Sequence, residues 1–371
     1  MALSLAEVLR EHWPDYSRRN RARLAAAHYR AVRAVLQCRT RALGGHRYHC
    51  EHCQRDHYSY HSCNHRSCPR CGALDQQLWC ATQEARLLPG VPYYLVTFTI
   101  PDSLWPACKQ HPAILYDLLL RESAGAMQDL AHTKLGGRLG FTSILHTWGR
   151  PMQHHPHVHI VVPAVAFNPA TRNLCHPNHP DRFFLHETPL ALRFRNRMDL
   201  ALKKRHPEVH QSLPGQARRD LSATKWRVNC LPVGHGRPAL RYLARYVYKT
   251  ALGPSRILGY TRDGRLRLSY QQSNTGAWRV TALHPDTFIQ RFLTHVLPKG
   301  FVRVRHYGWM SGAARKTRLL VRALVCGQIG EPTPKLPELP KPCCPDCGAL
   351  MNPVATLAPL QFKRGPPIQP S

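Results

Sequence analysis

The chain has 371 residues, enough for two or three folding units, one with a core large enough to stand alone. Its 52 Lys and Arg against 21 Asp and Glu leave a formal net charge of +31, a self-repulsion that a polyanion relieves, so nucleic acid is the expected partner and an anionic membrane surface the bland competitor. No apolar run approaches the roughly 18 residues that span a bilayer, and the first residues lack a basic stretch followed by an apolar one, so membrane insertion and secretion are not expected.

From Leu3 to Val35 apolar residues recur at helical spacing with Arg18, Arg19, Arg21 and Arg23 between them, predicting two helices broken near Pro14. Residues 38–71 then hold six of the 14 cysteines with little apolar periodicity, a composition that depends on metal to fold. Without an export signal, clustered cysteines read as metal ligands rather than disulfides. Cys50-x2-Cys53 and Cys68-x2-Cys71, separated by 14 residues, form the paired hairpins of a closed structural zinc site. Cys38 and Cys63 remain, and with His65 they are the candidates for a second zinc ion.

From Tyr93 the texture changes. Tyr93–Ile100 is β-branched and aromatic, a strand stopped by Pro101, and residues 112–132 carry an apolar helical face. Phe141–Trp148, His157–Val162 and Trp226–Leu231 are further strand candidates. Arg237–Thr250 reads as a helix with Pro238 at an early position; residues 264–270 and 278–283 read as short strands and 285–297 as a helix. The order is mixed α+β. A proline-rich stretch, Glu331–Pro342, reads as a linker. Beyond it Cys344-Pro-Asp-Cys347 is half a metal site, a remnant or completed elsewhere, Cys326 being one candidate.

Two segments carry chemistry. In His154–Val162 (HHPHVHIVV), His157 and His159 fall on one face of a strand, where two imidazoles suit a shared cation better than a core. His146, on the neighbouring strand candidate, is the third ligand chosen, with His155 the alternative; three neutral imidazoles leave positions open on a divalent ion for catalysis. In Arg241–Tyr248, Tyr242 and Tyr246 lie four apart on one helical face and Tyr248 on another. Spacing alone favours a core role for the pair, but Arg241, Arg245 and Lys249 flank it as a phosphate-binding face would.

With these motifs in place, the chain resembles the rolling-circle insertion-sequence transposases, two-tyrosine members of the HUH endonuclease superfamily related to common-region elements and helitrons. The resemblance rests on Cys63–Cys71, Leu145-His-Thr-Trp148, His155-Pro-His-Val-His159, Tyr242-Leu-Ala-Arg-Tyr246, and His295–Phe301 with Arg305–Gly308, and it runs from about residue 10 to 330. It implies a central antiparallel sheet with helices on one side, the histidine pair on a central strand and the tyrosine helix across it. It also implies Mg²⁺ or Mn²⁺ on His157, His159 and a third ligand, and a tyrosine attack that leaves a 5′-phosphotyrosine. One tyrosine would hold the cut donor strand while the other attacks a second, on DNA that is single-stranded or locally melted, at element ends and target. Trp148, Trp226 and Trp278 are candidate stacking platforms.

The expected organisation is a helical and zinc-ribbon module over residues 1–90, the catalytic domain over 91–330, and a linker with a cysteine-containing tail over 331–371. The expected setting is the bacterial cytoplasm, on the nucleoid, with no membrane and no small-molecule substrate. A zinc-containing DNA-binding regulator accounts for the charge and cysteines but leaves the histidines and tyrosines without purpose. A hydrolytic phosphodiesterase with structural tyrosines is separated from the main reading by the covalent adduct it would not form. A carboxylate-based transposase is disfavoured by the sparse acidic residues.

Overall fold

The computed structural model describes residues 3–177, 186–223, 226–248, 252–253, 255–272, 275–327, 330–338 and 341–360. The chain opens on α1 (Leu5–Arg19), capped reciprocally. Ser4 Oγ accepts from the Glu7 amide at 3.2 Å, and the Glu7 carboxylate accepts from the Ser4 amide at 2.7 Å. The expected break at Pro14 does not occur. Proline removes one intrahelical hydrogen bond, but Leu5, Val8 and Leu9 before it and Tyr16 after it are all buried in one core, which holds the helix through. The break falls instead at Asn20, whose side chain donates to the Tyr16 carbonyl at 2.9 Å, before α2 (Ala26–Gln37).

Strands β1 (Gly45–Cys50) and β2 (Arg55–Tyr60) form an antiparallel hairpin inside the cysteine-rich segment, and α3 (Ala73–Ala85) follows it. Next come β3 (Tyr93–Thr99), α4 (Trp105–Gln110), α5 (Pro112–Leu135), β4 (Arg138–Leu139), β5 (Phe141–Trp148) and β6 (His154–Pro163), with the short strands β7 (Ala166–Asn168) and β8 (Asn173–Cys175) after them. Helices α6 (Glu187–Arg205), α7 (Pro207–Ser212) and α8 (Gly215–Ser222) lead to β9 (Arg227–Pro232) and α9 (Arg237–Tyr248). A three-stranded meander, β10 (Ile257–Tyr260), β11 (Leu266–Gln271) and β12 (Trp278–Leu283), precedes α10 (Pro285–Thr294). The chain ends with β13 (Val304–Tyr307), α11 (Arg315–Cys326) and β14 (Asn352–Leu357).

The fold is α+β, organised on a five-stranded sheet of order β13-β5-β6-β3-β9 in which every pairing is antiparallel. Register gives the sheet two distinct faces. Tyr94, Val96, Phe98, Leu145, Val158, Ile160 and Val162 enter the largest core, with Leu115, Leu118 and Leu119 of α5 and Phe194 and Met198 of α6. The opposite face carries Leu95, Ile144 and Val161, against which Ala239, Leu240, Leu243 and Val247 of α9 pack, together with Val321 of α11. Strand β6 is therefore apolar on both faces past His159, as a central strand must be. The meander packs with α1, α2 and α10 in a separate core.

Candidate active site and zinc module

Three histidines converge on the α9 face of the sheet. In the β5–β6 register His146 stands opposite His157 and Ile144 opposite His159, so the alternation of β6 and the pairing with β5 bring three imidazoles to one patch. One ring nitrogen of each lies within 4.8 Å of the others. All three are buried, at 2%, 9% and 8% exposure for His146, His157 and His159. The His157 Nδ1–H donates to the His155 carbonyl at 2.7 Å, which leaves Nε2 as the lone-pair nitrogen. Nδ1 of His159 meets the Thr97 hydroxyl at 2.9 Å, so its Nε2 is likewise the nitrogen turned to the cluster.

Burial lowers the pKa of all three rings, and repulsion from neighbouring histidines adds to it in each. His157 falls to about 4, and His146 and His159 lie well below the usual imidazole value. The patch is thus three neutral imidazoles at neutral pH, the protonation state that binds a divalent cation. Trp148 stacks on His146 at 5.6 Å with an interplanar angle of 12°. His155, the alternative third ligand, packs edge-on against Trp105 at 5.3 Å and is not a member of the set.

The tyrosine helix crosses the same face. Its buried residues anchor it over Leu95, Ile144 and Val161, while Tyr242 is 42% exposed. The side chains of Arg245, Tyr246 and Tyr248, and Lys249 as a whole, lie outside the described residues. Arg241 is not free on the surface: its Nε donates to Glu84 of α3 at 2.7 Å, and Arg237 approaches the same carboxylate at 3.5 Å. Those ion pairs tie the tyrosine helix to the cysteine-rich module. Between the two, Asn64, Arg66 and Asp75 on one side and Val247 and Arg303 on the other line a cavity of about 260 Å³.

The thiols group differently from the expected pairing. Cys38, Cys63, Cys68 and Cys71 form one cluster, and Cys50, Cys53, Cys344 and Cys347 another, with sulfurs within 4.8 Å of one another in each. The set Cys50, Cys53, Cys68 and Cys71 does not form, and His65 is not a member of either cluster; its Nδ1 accepts from the Ser67 amide at 3.2 Å. The β1–β2 hairpin is the reason. Cys38 and Cys63 flank its root, where the Arg39 amide donates to the His61 carbonyl, whereas Cys50 and Cys53 sit at its tip. Six strand residues at a rise of about 3.3 Å separate root from tip by roughly 17 Å, too far for one ion. Cys326 is remote from both clusters in its contacts, donating to the Arg322 carbonyl at 3.0 Å.

Residues 140–318 match a family model described as "Putative transposase", and residues 8–100 match the transposase zinc-binding domain. A Sinorhizobium fredii protein, "Putative transposase y4qJ", is 32% identical over 355 residues, covering 91% of this chain and 87% of the relative. The transposase for insertion sequence element IS801 from Pseudomonas savastanoi pv. phaseolicola is 30% identical over 325 residues, covering 82% and 76%. The chain belongs to the IS91 family of insertion-sequence transposases. No solved structure matches it.

In this transposase the zinc-binding description and the Cys38 cluster agree: Cys38–Cys71 and Cys63–Cys71 sulfurs stand 3.4 and 3.6 Å apart, and backbone N–H groups of His65 and Arg70 reach Cys63 and Cys68. Residues that the sequence did not single out complete the picture. Thr97 orients His159 from β3, and Glu84 pairs with the tyrosine helix; each matters through a strand or helix pairing that no local motif announces. His154, buried, and His295, half-buried, stack as a further pair. His154 Nε2 meets Tyr116 Oη at 2.9 Å, and both ring nitrogens of His295 are engaged, with Thr147 and the Met152 carbonyl. Of the three candidate tryptophans, Trp226 is buried against Phe194, Trp148 is half-buried with one face on His146, and Trp278 is 64% exposed. No helix among the described residues is long and apolar enough to cross a membrane.

Proposed function

We propose that this transposase cuts and rejoins single-stranded or locally melted DNA at element ends and target, with a tyrosine of α9 as nucleophile and a divalent cation, Mg²⁺ or Mn²⁺, held by His146, His157 and His159. The observation that carries the reading is the convergence of three neutral, buried imidazoles on the sheet face that the tyrosine helix crosses. A lone pair on Oη of Tyr242 or Tyr246 forms the new bond to phosphorus as the bond from phosphorus to the 3′ oxygen breaks. The phenolic proton passes to solvent and the departing 3′ oxygen takes one up. One phosphodiester replaces another, so the 5′-phosphotyrosine keeps the energy needed for rejoining. The cation's contribution when bound is to polarise the scissile phosphate and stabilise the leaving oxygen.

The chain's own residues position these partners. Thr97 and the His155 carbonyl hold two imidazoles in register, and Glu84 braces the tyrosine helix through Arg237 and Arg241. Arg66 and Arg303 line the cavity between helix and zinc module, where a phosphate strand can enter. Arg245 and Lys249 extend the basic set in sequence, and Arg241, held by Glu84, borders it on the same helix. The division into a module over 1–90, a catalytic domain over 91–330 and a tail over 331–371 belongs to this reading, as does action on DNA at the nucleoid.

The test is incubation with 3′-end-labelled single-stranded DNA and Mn²⁺, read on a denaturing gel. A labelled band at protein mass, lost in the Tyr242→Phe/Tyr246→Phe double variant, is expected. Cleavage without an adduct would replace the proposal by hydrolysis, and binding without cleavage would favour a regulator.

A further inference from the structure

We propose that Cys50, Cys53, Cys344 and Cys347 form a second tetrathiolate zinc site, one that fastens the C-terminal segment to the tip of the N-terminal hairpin. The transposase zinc-binding match ends at residue 100, so half of this ligand set lies far outside it. The geometry is that of two facing knuckles. Cys53 stands 3.4 Å from Cys50, 3.4 Å from Cys344 and 3.5 Å from Cys347, and Cys50 stands 3.5 Å from Cys347. Zinc–sulfur bonds of about 2.3 Å in a tetrahedron imply sulfur–sulfur edges near 3.8 Å, whereas a disulfide brings sulfurs to about 2.05 Å. The observed separations fit the former, and all four cysteines are free.

The backbone is shaped for the same purpose. N–H groups of His52 and Cys53 point at the Cys50 sulfur, and those of Asp346 and Cys347 at the Cys344 sulfur. The Gly348 amide closes the second knuckle on the Cys344 carbonyl at 2.9 Å, with Gly348 at φ +77°, a conformation only glycine adopts without strain. Binding converts four thiols to thiolates and releases their four protons, leaving a net charge of −2 around Zn²⁺. Polar partners from β2 are at hand: His57 Nε2 lies 3.3 Å from the Cys344 sulfur, and the Arg55 guanidinium pairs with Asp346 of the second knuckle at 3.1 Å.

Burial alone gives this junction little to stand on. Among the described residues, its apolar cluster has Cys50, Cys344 and Met351 as its buried members. Strand β14 pairs with β1 from Gly45–Leu357 to His49–Asn352 across a register irregularity, and four of its six residues are exposed. So small a core needs a metal to order it. The tail is therefore a structural part of the zinc module.

Zinc content of the full-length protein tests this directly. Wild type is expected to carry two zinc ions per chain and the Cys343→Ser control also two. Cys344→Ser/Cys347→Ser and Cys50→Ser/Cys53→Ser should each carry one, and the quadruple variant should still carry one, because both pairs serve the same ion. Two ions retained in Cys344→Ser/Cys347→Ser, or a further loss in the quadruple variant while each double holds one, would overturn the site. Should a variant misfold, wild type with a protease site inserted in residues 332–338 decides. After cleavage the tail should co-elute with the main fragment and separate on addition of a strong chelator. A tail that separates while two zinc ions stay with the main fragment would refute the proposal.

Discussion

Replacing His157 by alanine removes one of three imidazoles whose ring nitrogens lie within 4.8 Å of one another, and the size of the effect can be worked out. For zinc-replete wild type at Mn²⁺ a hundredfold above its dissociation constant, linkage stabilises the fold by about 2.7 kcal/mol. A unit of ~200 residues moves its melting temperature by roughly 2–4 °C per kcal/mol, so a rise of about 5–11 °C is expected. Mn²⁺ prefers nitrogen and oxygen to thiolate, which leaves the cysteine clusters out of the measurement. Taking loss of one ligand as about a hundredfold in affinity, the ratio of metal to dissociation constant falls to ~1 and the linkage to ~0.4 kcal/mol, or 1–2 °C. Loss of the hydrogen bond to the His155 carbonyl costs the metal-free variant about 1–3 kcal/mol, so the quantity compared is the Mn²⁺-induced shift within each protein. Thermal melts with and without Mn²⁺ supply it. An undiminished shift in His157→Ala, or none in wild type, would refute the three-histidine site.

Gly308 has φ +57°, and a Cβ there would fall 1.7 Å from the Leu139 carbonyl oxygen, so Gly308→Ala should cost more than ~3 kcal/mol in urea unfolding while Gly312→Ala, with open space around it, stays within ~0.5. Burial lowers His295 and His306 to about 4 each. Below the unfolded value of about 6.5 the unfolded chain binds their protons first, so stability falls as pH drops from ~6.5 to ~4 and levels off below, by about 3 kcal/mol per histidine. A His295→Gln/His306→Gln variant should show a shallower pH slope; an unchanged slope contradicts the assignment. Tyr242→Phe should move the melting temperature little, its side chain being half in solvent, while reducing adduct formation in the labelled-DNA assay; a large loss of stability would return Tyr242 to a core role.

Much of the histidine-bearing face of the sheet was legible because its signals are local. A period of two puts His157 and His159 on one side of β6, and β-branched content marks β3, β5 and β6 with only end residues shifted. His146 lies on the neighbouring strand candidate, and the β5–β6 register sets it opposite His157. Helix α6 escaped notice because Arg193, Arg195 and Arg197 interrupt its apolar side, although Leu190, Phe194 and Met198 are buried at helical spacing. The four-residue edge strand β13 is too short to announce itself and is fixed by pairing with β5. Pro14 misled for the opposite reason: a strong local breaker was overruled by burial on either side of it.

By itself the sequence determined the chemistry available: thiol hairpins, an alternating histidine strand, paired tyrosines on a helix, and a charge of +31 that calls for a polyanion. Tertiary structure alone decided which thiols lie together and which elements frame the histidines. A C-x2-C spacing fixes the geometry of one hairpin but carries no information about its partner, and Cys50 meets Cys347 only because β14 returns to β1. Thr97 reaches His159, and Glu84 reaches Arg241, through contacts 62 and 157 residues apart in sequence. Such pairings depend on the packing of whole strands and helices, and local propensity cannot encode them.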